Sequence, residues 1–476
     1  METLDLAIVG AGPAGLAAAI EAVRHGLSVA VFDEQATPGG QVYRAVESGP
    51  FAGLGRGGDG GGPLGADYAS GARLAAAFRA SGAAYFPGST VWSLAADGSL
   101  GISRDGSARL LSPRRVLLAM GAIERPVCIP GWTLPGVMTA GAAQILLKSS
   151  GLAPEPPVVL AGSGPLLYLL AWQYRQAGVA IDAVLETTPA VNYAAALPYL
   201  AAALRGGGGS YVKKGLSYIA RLRRDGVRIV HGVAAIRALG DGRLDRVEYE
   251  DRRGRTAVLP ARVLLLHEGV IPNVQASLAL GLPHAWDGAQ LCWRPETDGW
   301  GGTANPVYFI AGDMAGIAGA AAAVPSGRLA ALAAASALGW IDYPTRDQEA
   351  KALFAARLHE TAVRPFLDRL YRPRRSMRVP ADDATIVCRC EETTAGAVRE
   401  AVRLGALGPN QLKAYTRCGM GACQGRLCGP VVSELIAAER GVSVAKVGHY
   451  RPRPPLKPVT LGEIAALESV DAETVL

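Results

Sequence analysis

The sequence predicts an α/β protein of two nested Rossmann-like dinucleotide-binding domains followed by a small C-terminal α-rich domain. Three observations predict it. A strand, a glycine turn and a helix open the chain at Leu4–Ala22. The same pattern recurs from Val158 to Arg175, and five of the seven cysteines fall between Cys388 and Cys428.

In the opening unit, Leu6–Val9 is the short apolar run of a buried parallel strand. It enters Gly10-Ala11-Gly12-Pro13-Ala14-Gly15. Gly10 permits the tight turn and Gly12 lets backbone approach a pyrophosphate. Gly15 lets the helix pack on the strand, so the helix N-terminus faces the phosphates. The second strand, Leu27–Glu34, ends in Asp33 and Glu34. Asp33 lies 23 residues after Gly10, close to the spacing of about 20 expected of the acid that holds ribose hydroxyls. Gly39-Gly40-Gln41 would bring backbone against a flat ligand. Gly49–Gly65 reads as a mobile glycine-rich loop. A helix over Arg73–Ala80 follows, then hairpin strands across Val91–Leu111 and a buried strand, Arg115–Gly121, ending at Gly121.

Pro154-Glu155-Pro156-Pro157 marks a boundary before the second unit. Its strand Val158–Ala161 meets Gly162-Ser163-Gly164, a helix runs through Arg175, and the next strand ends at Glu186. Leu167 stands where the third glycine belongs, and its bulk would push helix from strand. Gly162, Gly164 and Glu186 are therefore read either as an adenine-nucleotide site or as a structural repeat that has lost its ligand. Ala194–Gly215 reads as helix broken at Gly206–Gly209. Val227–Glu250 returns to strands and Val263–Leu266 closes the unit. Val307–Ile310 then leads into Gly312-Asp313, a strand-to-helix turn suited to the phosphate or ribityl part of a flavin. The expected domains are 1–154 with 287–345, 155–286, a linker 346–384, the cysteine domain 385–440 and a tail 441–476.

The 476 residues have room for about three domains, and half of them are apolar, ample for cores. The net charge of +7 is spread along the chain. Arg364–Arg378 is basic without a nucleic-acid motif, so it reads as a solvated linker or a docking surface for an acidic partner. Seven cysteines are too few for a disulfide framework. The tract Ile310–Ile341 contains Asp313, Pro325 and Arg328 and reads as a buried helix, not a transmembrane segment. With no signal peptide read at the N-terminus, these features predict a cytoplasmic protein, with peripheral contact to the inner membrane left open.

GAGPAG, PGGQ, Ala119-Met120-Gly121, the nested second unit and FIAGD together resemble two-dinucleotide-binding flavoprotein oxidoreductases over residues 1–340. The resemblance implies FAD on the opening unit, with Gly10, Gly12, Pro13, Ala14, Gly15, Asp33, Glu34, Gly40, Gln41, Gly121, Gly312 and Asp313 around it. Cys128 and Cys292 are isolated and read as core residues. No cysteine pair stands near the flavin, so a flavin-to-disulfide relay is not expected.

Cys388 and Cys390 are two apart, which in extended chain points both thiols to one side. A helix over Thr394–Leu404 separates them from Cys418 and Cys423, which lie in a glycine-rich loop. Four thiolates from two short loops suit a 2Fe–2S cluster. Zinc favours paired ligands about two to four residues apart, and this spacing fits it poorly, though zinc stays an alternative. Cys428 is left over, either a buried thiol behind the cluster or a ligand in place of Cys423. Arg389, Arg417 and Arg426 would favour a reduced cluster.

This segment resembles the bacterioferritin-associated-ferredoxin-like 2Fe–2S domain. With GGQVYR, CRCEE, TRCGMGACQGRLCG and the tail RPRPPLKPVTLGEIA, the whole chain resembles the large FAD subunit of opine oxidases, dye-linked proline and hydroxyproline dehydrogenases and hydrogen cyanide synthase. The resemblance implies an FAD- and 2Fe–2S-containing electron-transfer subunit of a hetero-oligomeric amino-acid, imino-acid or opine dehydrogenase. It leaves room for a second adenine nucleotide, ATP or NAD(P), and for FMN at a subunit interface. The implied partners are a smaller amino-acid-oxidase-like flavoprotein subunit, optionally a small ferredoxin-like subunit, and a quinone or dye as acceptor. The six histidines are scattered, and no catalytic base stands out. Two other readings remain: a self-sufficient NAD(P)H-dependent flavin and iron–sulfur reductase, against which Leu167 counts, and a scaffold subunit with structural cofactors.

Overall fold

The computed structural model describes residues 4–53 and 62–469. Residues 54–61, the centre of the glycine-rich loop expected at Gly49–Gly65, lie outside the described residues. The first sheet has five parallel strands in the order Tyr308–Ile310, Arg115–Leu118, Leu6–Val9, Val29–Asp33, Ala84–Pro87. Its central strands are continuous apolar runs because both faces are covered. Helix Pro13–Arg24 packs against helix Ala320–Ala337. A Cβ on Gly327 would lie 2.0 Å from Ala14 O, so the two helices meet backbone to backbone. Ala320–Ala337 is long and apolar enough to cross a membrane. Here it forms part of the core, with Leu329–Ala335 buried.

The second sheet is also parallel, in the order Arg228–His231, Ala183–Glu186, Val158–Ser163, Val263–Glu268, Val137–Thr139. It reaches back to Val137, upstream of the boundary expected at 154. That strand has only three residues, too few to show a period in sequence. Leu167 is fully buried in this unit's core. The glycine run at 206–209 does more than break a helix. Gly208 and Gly209 open the helix Gly208–Arg224, and a Cβ on Gly208 would meet Ala203 O at 2.5 Å.

The basic stretch 364–378 is not a solvated linker. Helices Arg364–Leu370 and Arg375–Arg378 lie across the second unit, and Met377 is buried. Arg372 and Arg374 donate to backbone carbonyls, and Arg364 and Arg378 pair with Asp368 and Glu434, which is why much of this polar sequence is half-buried against the fold. Beyond it, helices Ala395–Arg403, Pro409–Thr416 and Gly429–Arg440 surround Val398, Leu412, Leu435 and Ile436. The tail then returns to the first unit. Leu456 N donates to Trp92 O, and Glu468–Ser469 pairs in parallel with the strand Ser107–Leu111.

Candidate dinucleotide and metal centres

The glycines of the opening unit are fixed by close approach. A Cβ on Gly15 would lie 1.9 Å from Gly10 O, and one on Gly10, at φ +108°, would lie 2.5 Å from Ala119 O. The Gly39–Gln41 turn crosses directly over the glycine turn. Gly39 N donates to Ala11 O, and a Cβ on Gly40 would lie 2.8 Å from Gly12 Cα. Pro13 and Ala14 start the buried helix, and Gly312 lies against Ala14, where a Cβ would come 2.9 Å from the alanine methyl. These residues converge on one cradle at the C-terminal ends of the strands, as a dinucleotide requires.

Asp33 is turned into that cradle. Its Oδ2 accepts from Ala11 N at 2.6 Å and its Oδ1 from Gln35 N at 2.8 Å. Burial pushes its carboxyl upward, against the pull of those donors and of Arg44. Glu34 instead points to the tail and pairs with Lys457 at 2.9 Å. Asp313 Oδ1 accepts from Ala318 N and Gly319 N, fixing the turn before the long helix. Gly121, at φ +64°, faces open space and accepts from Asn273 N. Gln41 is exposed.

Two residues that the sequence did not single out complete the cradle. Arg44 is buried beside Asp33 and Glu34, and its buried Nε has no partner among the described residues. A buried guanidinium beside Asp33 with an unpartnered Nε fits an anionic dinucleotide. Lys148 Nζ, from helix Ala140–Ser150, reaches the carbonyls of Gln41 and Val42. GGQVYR pointed to the neighbourhood of Arg44, whereas Lys148 carries no local signal, since its contact spans 107 residues.

The cysteines converge as a group of five. The Sγ atoms of Cys388, Cys418 and Cys428 lie within 4.8 Å of one another, and all three residues are buried. Cys390 Sγ is 3.8 Å from Cys423 Sγ. The loop's glycines make this possible. A Cβ on Gly421 would lie 2.3 Å from Cys390 Cβ, and one on Gly419 or Gly425 would strike the Tyr450 ring. Cys388 is held down to about 2, as thiolate, by the S–H groups of Cys418 and Cys428 and by the backbone N–H of Gly419 and Glu391. Cys418 is correspondingly pushed up to about 12. Several soft donors around one thiolate suit a cluster. Cys128 is not isolated. It is buried in the same apolar core as Cys388 and Cys428, beside Trp132, whose Nε1 donates to Ile386 O at 2.7 Å.

A short bridge joins the two centres. Asn273 N donates to Gly121 O, and two residues on, Gln275 Nε2 donates to Cys423 O at 3.2 Å. Beside it an open cleft is lined by Ile123, Pro272, Trp293, Gly425 and Tyr450.

In the second unit, a Cβ on Gly162 would lie 1.7 Å from His267 O, and the His267 ring lies over Gly164. His267 is buried, with Nδ1 2.6 Å from Glu124 Oε1. Glu186 is buried too, accepting from Thr188 N at 2.9 Å and lying 3.2 Å from His231 Nδ1.

Residues 4–334 match the family described as pyridine nucleotide-disulphide oxidoreductase, and residues 386–438 match the BFD-like 2Fe-2S binding domain. The chain is 46% identical to a subunit of opine oxidase from Agrobacterium tumefaciens (strain Ach5), covering 97% of this chain and 92% of that protein. It is 35% identical to the HcnB subunit of hydrogen cyanide synthase from Pseudomonas aeruginosa, covering 95% and 96%. The crystal structure of L-proline dehydrogenase from P. horikoshii superimposes with a TM-score of 0.69 at 18% identity, over 97% of this chain and 79% of that one, which shows a shared fold. The domain pair implies FAD and a 2Fe–2S cluster, and the donor sets described above fit both. The chain therefore belongs to the pyridine nucleotide-disulphide oxidoreductase family of flavin enzymes, in the group with a BFD-like 2Fe–2S domain that includes the opine oxidase relative.

Proposed function

We propose that this chain is the FAD- and 2Fe–2S-containing electron-transfer subunit of a hetero-oligomeric dehydrogenase. Its complex oxidises the C–N bond of an amino acid, imino acid or opine, and the substrate site lies on a partner flavoprotein subunit. The relatives named as subunits of opine oxidase and hydrogen cyanide synthase support the class of complex. The observation that carries the reading is the bridge from Gly121 through Asn273 and Gln275 to Cys423. It links the dinucleotide cradle to the thiols through two hydrogen bonds only two residues apart in sequence.

Bound FAD supplies two-electron acceptance and the cluster one-electron transfer. The chain's residues hold and orient the two. The cradle of Gly10, Gly12, Gly15, Gly40 and Gly312 seats the dinucleotide, and Asp33 and Arg44 meet its ribose and phosphates. Cys388, Cys390 and Cys423 hold the cluster, and Cys428 is the fourth ligand. Cys428 stands at the N-terminus of the twelve-residue helix Gly429–Arg440, the end at which the helix dipole favours a thiolate. Cys418 follows the C-terminal end of Pro409–Thr416, where the dipole disfavours one.

The test is anaerobic co-expression with an amino-acid-oxidase-like partner, followed by iron and flavin analysis and addition of proline, hydroxyproline or an opine. The expected result is bleaching of the flavin band and a reduced-cluster EPR signal only when the partner is present. A chain that binds zinc alone, or whose flavin and cluster stay oxidised with every such substrate, overturns the reading.

A further inference from the structure

We infer that the second Rossmann crevice is closed to nicotinamide nucleotides by this chain's own linker and by His267, and that it moors the C-terminal domain instead. In open α/β sheets the ligand sits outside the carboxyl ends of the strands. The segment Leu370–Ser376 runs across those ends. Ser163 Oγ, within the glycine turn, donates to Tyr371 O at 3.4 Å. Arg374 donates to Thr187 O at 2.6 Å and to Gly232 O at 3.2 Å, the residues that follow the next two strands. Asn192 Nδ2 donates to both Leu370 O and Arg372 O, and Ser376 Oγ to Ala234 O.

The glycine turn itself is covered from the other side. A Cβ on Gly164 would lie 3.3 Å from His267 Nε2, so the buried imidazole stands over the backbone that a pyrophosphate would approach. The carboxylate that would take ribose hydroxyls, Glu186, is buried and already engaged by Thr188 N and by His231 of the next strand.

The same linker continues into the iron–sulfur domain. Arg378 pairs with the buried Glu434 of helix Gly429–Arg440. A strap fixed at one end on three strand termini and at the other on the domain helix holds that domain in place. The unit thus keeps its dinucleotide-binding fold as an anchorage. Electrons for the flavin then come from a donor other than NADH or NADPH.

This inference rests on the reading that the chain carries FAD, and the experiment separates the two. The FAD-loaded holoprotein is dialysed anaerobically against millimolar NADH or NADPH, with the flavin band recorded before and after. The expected result is no retained nucleotide and an unchanged band. One equivalent of nucleotide retained per flavin-loaded chain overturns the inference, whereas absence of the flavin band at the outset overturns only the flavin reading. A second measurement uses the double variant Asn192→Ala, Arg374→Ala. Trypsin should cleave it after Arg375 at least tenfold faster than wild type, and an unchanged cleavage rate overturns the mooring role.

Discussion

Lys148 Nζ lies 3.1 Å from the carbonyl oxygen of Gln41 and 2.9 Å from that of Val42, with Gln144 Oε1 as its third acceptor. A buried amine from the helix Ala140–Ser150 thereby clamps the turn that crosses the flavin cradle. Hydrogen bonds to charged groups contribute about 1.5–3 kcal/mol. Lys148→Met should therefore weaken FAD binding by roughly ten- to a hundredfold, read as flavin fluorescence released on dilution. Lys148→Arg cannot place a single nitrogen among three acceptors and should recover little.

Gly40→Ala tests the crossing itself. The new methyl would come 2.8 Å from Gly12 Cα at φ +61°. Strain of about 1–3 kcal/mol is expected, and the turn can relieve it only by lifting off the cradle. The flavin-to-protein ratio after gel filtration should fall well below one, while the iron content stays that of wild type.

Glu268 supplies a pH dependence. Burial raises its carboxyl to about 7, against the pull of Thr187 and Arg125, and its Oε2 has no partner among the described residues. The folded value stands above the unfolded one near 4.5. Between those values the native chain holds more protons than the unfolded chain, so stability falls as pH rises from 4.5 to 7 and levels off above. Glu268→Gln removes this slope. It should raise the melting temperature at pH 8 and leave it near wild type at pH 4.5, the difference being about 3 kcal/mol.

Serine variants separate the thiols. Cys388→Ser, Cys390→Ser, Cys423→Ser and Cys428→Ser should each abolish the cluster's visible absorbance. Cys418→Ser should retain it, with the EPR line shape altered by the changed neighbour. Retention in Cys428→Ser and loss in Cys418→Ser would exchange the roles of those two residues.

Much of this arrangement is legible in the sequence because it is written in short-range patterns. A buried parallel strand, a glycine turn and an alanine-rich helix are each local, so both Rossmann units can be read from consecutive residues. The CxC pair and the glycine loop announce a thiol site for the same reason. Contacts made at long range are not legible. Lys148 lies far along the chain from the turn it holds, and Cys128 joins the iron–sulfur domain's core across more than one domain. Val137–Thr139 is too short to show a strand period. The stretch 364–378 misleads because its charges look solvated, although Arg374 and Arg378 satisfy them internally.

The tail that returns to Trp92, Glu34 and the strand Ser107–Leu111 has a kinetic consequence. The iron–sulfur domain is leashed on both sides, by the strap that enters it and by the tail that leaves it. It has no slack to swing out as a shuttling carrier would. Inter-centre transfer should then proceed over a constant gap, with a rate insensitive to added glycerol or sucrose.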